Sequence, residues 1–309
     1  MNLFDTVREV LDRRAPEVAR SRGLSLEELY RQMGNSIDVM LAEWQREGAP
    51  SIPYHDPVFQ LAYVYSHVAM NAHLLDEALR CEFPIKGRPV SVGSALLNLL
   101  KKTDRLRICT FGSGPGTELL GLSRFLGSKW LPHIPVELDV LHMDRVDQWA
   151  PSSKALQDSI ESQFGRKRKL AFSTSFLPWN ASKPDVASQT RALEERHLFL
   201  FSYVVSELLD QAELDAVSGL LSQMVRASPH AVFLIIDRFG DDRTQANISS
   251  LVAGAGLQPL AEDTLPNYVG FDEHAKTSLR QYVNVIGRMP RGSRFGGKKE
   301  AQFVIAQRP

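Results

Sequence analysis

The stretch Thr110-Phe111-Gly112-Ser113-Gly114-Pro115-Gly116-Thr117-Glu118 follows directly on the mostly apolar run Leu106-Arg107-Ile108-Cys109. Three glycines in five residues are too dense for the interior of a helix or a strand, so the chain must turn there. Leu119, Leu120, Leu122, Phe125 and Leu126 then recur at helical spacing, and the unit reads as strand, glycine turn, helix. In such a unit the N–H groups at the helix start point toward the carboxyl end of the sheet, where ligands bind. Glycine at 112, 114 and 116 allows positive φ and removes the Cβ atoms that would block a ligand. A tight βα turn without a ligand is the other reading of the same residues.

The residues on either side of this unit differ in rhythm. From Met1 to about Leu100 the pattern is helical. Ser25 and Glu28 form a capping box ahead of Leu29, Met33, Ile37, Met40, Leu41 and Trp44. Gly48, Pro50 and Pro53 end that helix, Asp56-Pro57 opens another that runs through Leu79, and a short one covers Val92 to Lys101. From Leu106 onward, β-like runs appear at 106–111, 136–143, 170–173, 197–202, 231–237, 281–286 and 302–306. Helical stretches or loops separate the first five, which predicts a mostly parallel sheet covered on both faces. No helical pattern separates the last two, so they are expected to form an antiparallel C-terminal hairpin whose long tip, Gly287 to Lys299, is basic and glycine-rich. The expected division is a helical cap or substrate domain over 1–95 and an α/β domain over 96–309.

Composition narrows the partners. Lys plus Arg and Asp plus Glu both number 36 in 309 residues, so a polyanion would have to be held by a local patch. Cys81 and Cys109 are too few for a CxxC metal site and read as reduced thiols. The eight histidines show no metal-ligand spacing, so no metal is expected. The N-terminus lacks a basic region followed by an apolar core, and no apolar run approaches the roughly 20 residues that span a bilayer. The chain therefore reads as soluble and intracellular, cytoplasmic in the first instance, with a nuclear location compatible.

The ligand of the glycine turn can be narrowed by comparing known loops. A Walker loop needs Gly-Lys-Ser/Thr, and Gly116-Thr117-Glu118 has no lysine. The dinucleotide fingerprint needs a third glycine where Thr117 stands. Glu118 at the helix start disfavours a pyrophosphate and suits a ligand that carries an ammonium group.

Ile108 to Thr117 resembles the first motif of the class I S-adenosylmethionine-dependent methyltransferases, a strand ending in G-x-G-x-G. The resemblance covers residue 95 to the C-terminus and implies a Rossmann-like α/β fold with a seven-stranded, mostly parallel sheet. It implies S-adenosyl-L-methionine as cofactor, held by Gly112, Ser113, Gly114 and Gly116. The family usually has an acid where Thr110 stands here, and Glu118 is placed to compensate. Asp144, closing the run Glu137 to Asp144, would bind the ribose hydroxyls, with Asp147 as the alternative and Arg145 or Trp149 alongside. A helix N-cap at a βα junction is the other reading of Asp144. Ser175 and Phe176 match the adenine-binding motif, although the acid usual there is missing. Ser202-Tyr203-Val204-Val205-Ser206-Glu207-Leu208 is similar to the S-Y-x-x-S-E-L stretch of some methyltransferases, including a mitochondrial ribosomal small-subunit group. It would put Ser202 and Tyr203 near the transferred methyl, with Tyr203 as the catalytic candidate; a packing role for Tyr203 is the alternative.

The acceptor is left open. Methyl transfer from a sulfonium is an in-line displacement that depends on alignment, so sequence marks the cofactor site better than a catalytic group. The N-terminal helices are expected to supply the acceptor pocket through Tyr54, His55, His67 and Asn71, of which His67 and Asn71 share a helix face. These residues also read as surface or satisfied core groups. The family's N-methylating D/N-P-P-Y/F signature is absent after the fourth strand, which argues against amide or exocyclic base amines, and balanced charge favours a small molecule or protein side chain over RNA. The basic runs 165–169 and 288–299 keep RNA as an alternative acceptor, although such runs also read as solvated loops. A methyltransferase-like binding module without activity is the third reading.

Overall fold

The computed structural model of the chain describes residues 2–45, 50–85, 88–103, 105–129, 136–164, 170–179, 192–208, 211–265, 271–290 and 301–308. Helix α1 (Leu3–Arg22) opens on Asn2, whose side chain accepts from the Phe4 N–H, and closes on Gly23 in the left-handed conformation. Helix α2 (Leu26–Gln45) begins with the expected capping box: Ser25 N–H donates to Glu28 at 2.8 Å and Glu28 N–H to Ser25 Oγ at 3.2 Å. Leu29, Met33, Ile37 and Met40 form its buried stripe. Helix α3 (Pro57–Arg80) starts with Asp56 capping the Val58 N–H at 2.8 Å, again as the Asp-Pro pair predicts. Strands β1 (Phe83–Ile85) and β2 (Arg88–Val90) form a small antiparallel ribbon that the helical reading of this region missed. Helix α4 (Val92–Leu100) leads into the α/β part.

The main sheet is built from β3 (Arg105–Phe111), β4 (Val136–Asp144), β5 (Leu170–Pro178), β6 (Leu198–Ser202), β7 (Val232–Arg238), β8 (Gln258–Leu265) and β9 (Ala301–Gln307). Their spatial order is β5-β4-β3-β6-β7-β9-β8, parallel except for β9, which is antiparallel to both of its neighbours. The connecting helices are α5 (Thr117–Lys129), α6 (Ala150–Phe164), α7 (Gln211–Ala227) and α8 (Asp242–Gly254). The fold is thus α/β with a seven-stranded, mostly parallel sheet.

The buried strands alternate between two cores. Ile108, Val140, Leu200 and Leu234 pack with the N-terminal helices, α5 and α6, whereas Phe111, Met143, Phe201 and Ile235 pack with α7 and α8. Alternation at a period of two is what a sheet covered on both faces requires.

One expectation is corrected. Gln281–Ile286 is not a strand but most of helix α10 (Arg280–Ile286), which follows α9 (Phe271–Ser278). Tyr282 and Ile286, four residues apart, are both buried, and the Tyr282 ring meets Tyr30 edge-on at 5.2 Å. The antiparallel partner of β9 is instead β8, an edge strand with Pro259, Glu262 and Asp263, too polar and too broken to stand out in the sequence. Of the expected basic tip, Gly287 to Pro290 are described and 291–299 lie outside the described residues, as does the basic run 165–169. Among the described residues, no helix is long and apolar enough to cross a membrane.

Candidate functional site

Strand order reverses between β3 and β6: β4 and β5 follow β3 outward on one side, and β6 begins again on the other. Such a switch point leaves a crevice at the carboxyl ends of the strands. A cleft opens there, lined by residues that follow each strand. Gly112 and Gly114 come after β3; Asp144, Arg145, Val146 and Trp149 at and after β4; Trp179 after β5; Ser202, Tyr203, Val204, Glu207 and Leu208 at and after β6; Arg238 ends β7 and Glu213 comes from α7. Trp44, Tyr54, Tyr63, His67 and Asn71 cover it from the N-terminal segment.

The glycine turn is tied to the end of β4. Gly112 N–H donates to the Met143 carbonyl at 2.8 Å, and Gly114 N–H donates to Asp144 Oδ2 at 2.8 Å. Asp144 Oδ1 accepts from Val146 N–H at 2.9 Å. Each carboxylate oxygen therefore has one backbone donor and acceptor capacity left for the cleft. Burial raises the Asp144 pKa, opposed by those backbone bonds and by Arg145. Gly112 has φ +58° and a Cβ there would stand 2.6 Å from Val204 Cγ2, so no larger residue fits.

Below this turn, Ser113 Oγ, Thr117 Oγ1 and Glu118 Oε2 are buried without a hydrogen-bond partner among the described residues. Burial pushes the Glu118 carboxyl up to about 8, while a hydrogen bond from Ser202, itself a cleft residue, acts against that shift. A carboxyl so placed favours its neutral form near pH 7. Thr110 is fully buried, pairs with His142 Nδ1 at 3.1 Å and does not line the cleft. Burial lowers the His142 pKa to about 4, so that partner is neutral.

Across the switch point, Tyr203 takes φ +59°, a left-handed conformation that bulky side chains rarely adopt. It is held by its N–H, which donates to the Ile236 carbonyl at 2.8 Å. The one-turn 3₁₀ helix Val205–Glu207 follows, anchored where Ser206 N–H donates to Asp237 Oδ2 at 3.0 Å. Asp237 is fully buried and also accepts from Arg238 N–H at 2.8 Å. The kink and the anchor together turn Tyr203 and Glu207 into the cleft.

Aromatic rings cover the glycine turn. Tyr63 lies 5.7 Å from Tyr54 and 5.6 Å from Trp149, both edge-on, and stacks on His67 at 5.0 Å; Trp44 meets His67 at 4.7 Å. Asn71 Nδ2 donates to Tyr63 Oη at 3.4 Å. Tyr63, His67 and Asn71 are four residues apart, one face of α3, and that face looks onto the turn. Burial raises the Tyr54 and Tyr63 pKa values, so both phenols keep their protons.

No protein-family model and no curated protein matches the chain. Several solved structures are similar at low identity. A TehB-like SAM-dependent methyltransferase from Corynebacterium glutamicum is 13% identical over 66% of this chain and 80% of its own, with a TM-score of 0.33. A putative class I S-adenosylmethionine-dependent methyltransferase from Listeria monocytogenes is 12% identical over 99% and 88%, with a TM-score of 0.43. The glycopeptide N-methyltransferase MtfA, solved with SAM and with sinefungin, is 11% identical over 74% and 91%, with a TM-score of 0.37. At TM-scores this low, the functional reading rests on the chain's own geometry.

The cleft brings together Gly112, Gly114, Asp144, Arg145, Ser202, Tyr203, Tyr54, His67 and Asn71 from the residues singled out in the sequence. Ser113, Gly116 and Glu118 do not line it, although Glu118 is hydrogen-bonded to Ser202, which does. Ser175 and Phe176 fall inside β5, which runs longer than expected, and neither lines the cleft; Trp179, just beyond the strand, does. His55 is exposed and also lies off the cleft. Sequence reasoning missed Tyr63, Glu207 and Arg238. The i, i+4 spacing from Tyr63 to His67 to Asn71 was the available signal for the first. Glu207 stands in the Ser202–Leu208 stretch but takes no role from it, because the Asp237 anchor that aims it is distant in sequence, and Arg238 carries no local signal.

Proposed function

We propose that the chain is an S-adenosylmethionine-dependent methyltransferase with the cofactor lying along the glycine turn. The observation that carries this reading is the pair of acids flanking that turn: Asp144, hydrogen-bonded to Gly114 and open to the cleft, and Glu118, buried with Oε2 unpartnered. The donor set fits the molecule. Asp144 would accept both ribose hydroxyls, Glu118 with Ser202 would receive the ammonium group, and Arg145 and Trp149 would flank the adenosine. Bound there, the cofactor supplies an electrophilic methyl group on a sulfonium.

The chain's own contribution is alignment and exclusion of water. Tyr203, fixed by its left-handed backbone, would orient the acceptor at the methyl, and Tyr54, His67 and Asn71 would form the acceptor wall. The segment 1–95 serves as the cap that closes this wall and 96–309 as the cofactor-binding part. A small molecule or a protein side chain is favoured over RNA, because the cleft lining has three acids, Asp144, Glu207 and Glu213, against Arg145 and Arg238.

Calorimetry tests this directly. Binding of S-adenosylmethionine in the micromolar range is expected, abolished by Gly114→Arg and weakened about tenfold or more by Asp144→Ala. A preference for NAD would overturn the assignment.

A further inference from the structure

Glu207 has no part in holding the cofactor as assigned above. It stands on the 3₁₀ turn after β6, fixed by the Ser206–Asp237 bond, and its side chain lines the cleft with Tyr203. Among the described residues, none donates a hydrogen bond to its carboxylate. The charged and titratable groups around it are Arg145 and Asp144 from the end of β4, Asp237 and Arg238 from β7, Tyr54 ahead of α3 and Tyr63 within it. His67 and Glu213 complete the ionisable lining of the cleft.

We propose that the methyl acceptor is an amine that enters as its ammonium ion, and that Glu207 removes the proton. The proposal rests on the methyltransferase reading and names the acceptor chemistry of that site. The aromatic residues Tyr54 and Tyr63 stand in a lining in which acids outnumber arginines, an environment that draws in a cation. An acceptor carboxylate would meet repulsion from Asp144, Glu207 and Glu213. An alcohol is too weak an acid for a carboxylate to deprotonate effectively.

An ammonium nitrogen has no lone pair until one N–H proton leaves. That proton passes to a Glu207 oxygen, and the freed nitrogen pair forms the new N–CH3 bond. The electron pair of the S–CH3 bond that breaks stays on sulfur, which becomes a neutral thioether. Burial raises Glu207 to about 7, with Arg145 acting against the shift, which brings the base nearer to an amine of pKa about 10 than an ordinary carboxylate would be.

Two measurements test the assignment, the first without turnover. Sinefungin carries an amine where the sulfonium methyl stands, and S-adenosylhomocysteine carries a neutral thioether. We expect sinefungin to bind about tenfold tighter than S-adenosylhomocysteine, and Glu207→Gln to reduce that ratio to about threefold or less while leaving S-adenosylhomocysteine affinity unchanged and Tm no lower than that of the parent. Equal binding of the two, or a preference that survives Glu207→Gln, overturns the role of Glu207. Failure of both ligands to bind refutes the methyltransferase reading instead. In the second, methyl-labelled S-adenosylmethionine is incubated with a cell extract, and label is expected in small molecules retained by a cation exchanger in acid. Transfer should rise with pH through about 7 and lose that limb in Glu207→Gln. Label in base-labile esters or nucleic acid, label in protein at any group other than an amine, or no transfer despite cofactor binding, overturns the amine assignment.

Discussion

Glu118 is held at 4% exposure, and the cost of keeping it there depends on pH. Its pKa rises from the ordinary carboxylate value of 4.5 to about 8, chiefly because burial disfavours the charged form. Between those values the folded state binds more protons than the unfolded state, so stability is full below about 4.5 and falls as pH rises through about 8. Glu118→Gln removes this dependence by replacing the carboxyl with a permanently neutral group of similar shape. Thermal unfolding of the ligand-free proteins should show little difference at about pH 5. At about pH 9 the variant should unfold several degrees higher than the parent. Equal Tm differences at both pH values would mean that Glu118 does not titrate as its burial requires. The same substitution should weaken S-adenosylmethionine binding, since a neutral amide cannot pair with the ammonium group. A gain in stability together with a loss of affinity is the expected signature of a binding residue rather than a packing residue.

At the scale of elements, the site depends on how closely α3 approaches α5. Gly121 on α5 faces α3, and a Cβ there would stand 2.5 Å from the Ala72 carbonyl oxygen and 2.9 Å from Leu75 Cβ. Backbone is a poor neighbour to displace, so Gly121→Ala should cost about 1–3 kcal/mol in denaturant unfolding. Because Tyr63, His67 and Asn71 project from α3 onto the glycine turn, the same change should also weaken cofactor binding. A variant of parental stability would show that the two helices are not in contact. Elements of this kind were readable from sequence where a local rule applies: the Ser25–Glu28 box, the Asp56-Pro57 start and the glycine turn all stand where their residue types require. What escaped was set by tertiary context. The 281–286 run has strand-like residues, but Tyr282 and Ile286 find their burial against α2 and α1, and burial overrides propensity. Strand β8 is polar because it lies at a sheet edge, and Glu207 is aimed by an aspartate from another strand.

For the whole molecule, the notable property is that segment 1–95 shares a core with the sheet. Phe4, Val7, Leu61, Val68 and Leu75 belong to the same apolar cluster as Leu106, Leu119, Leu138 and Ile160. Polar contacts cross the same boundary, with Gln163 Nε2 donating to Thr6 Oγ1 at 2.8 Å and Arg124 Nε lying 3.3 Å from the Asp76 carboxylate. Asp76 is almost fully buried, so removing the helix that carries it would leave Arg124 beside an emptied, apolar groove. A fragment beginning at residue 96 would therefore expose the faces of α5 and α6 that now meet α3 and α1, well beyond the patch size a soluble monomer tolerates. Calorimetry of the full chain should give a single endotherm, since the helices of 1–95 pack into one apolar cluster with the sheet, α5 and α6 and would not unfold apart from it. The fragment 96–309, expressed alone, should aggregate or bind a hydrophobic dye, and its S-adenosylmethionine affinity should be lost even though Gly112, Asp144 and Glu118 are all present. Two resolved endotherms, or a fragment that binds the cofactor as the full chain does, would show that the cap is an appendage. A single endotherm would place Tyr54, His67 and Asn71 in one cooperative unit with the glycine turn, so that the cleft opens locally rather than by release of the whole helical segment.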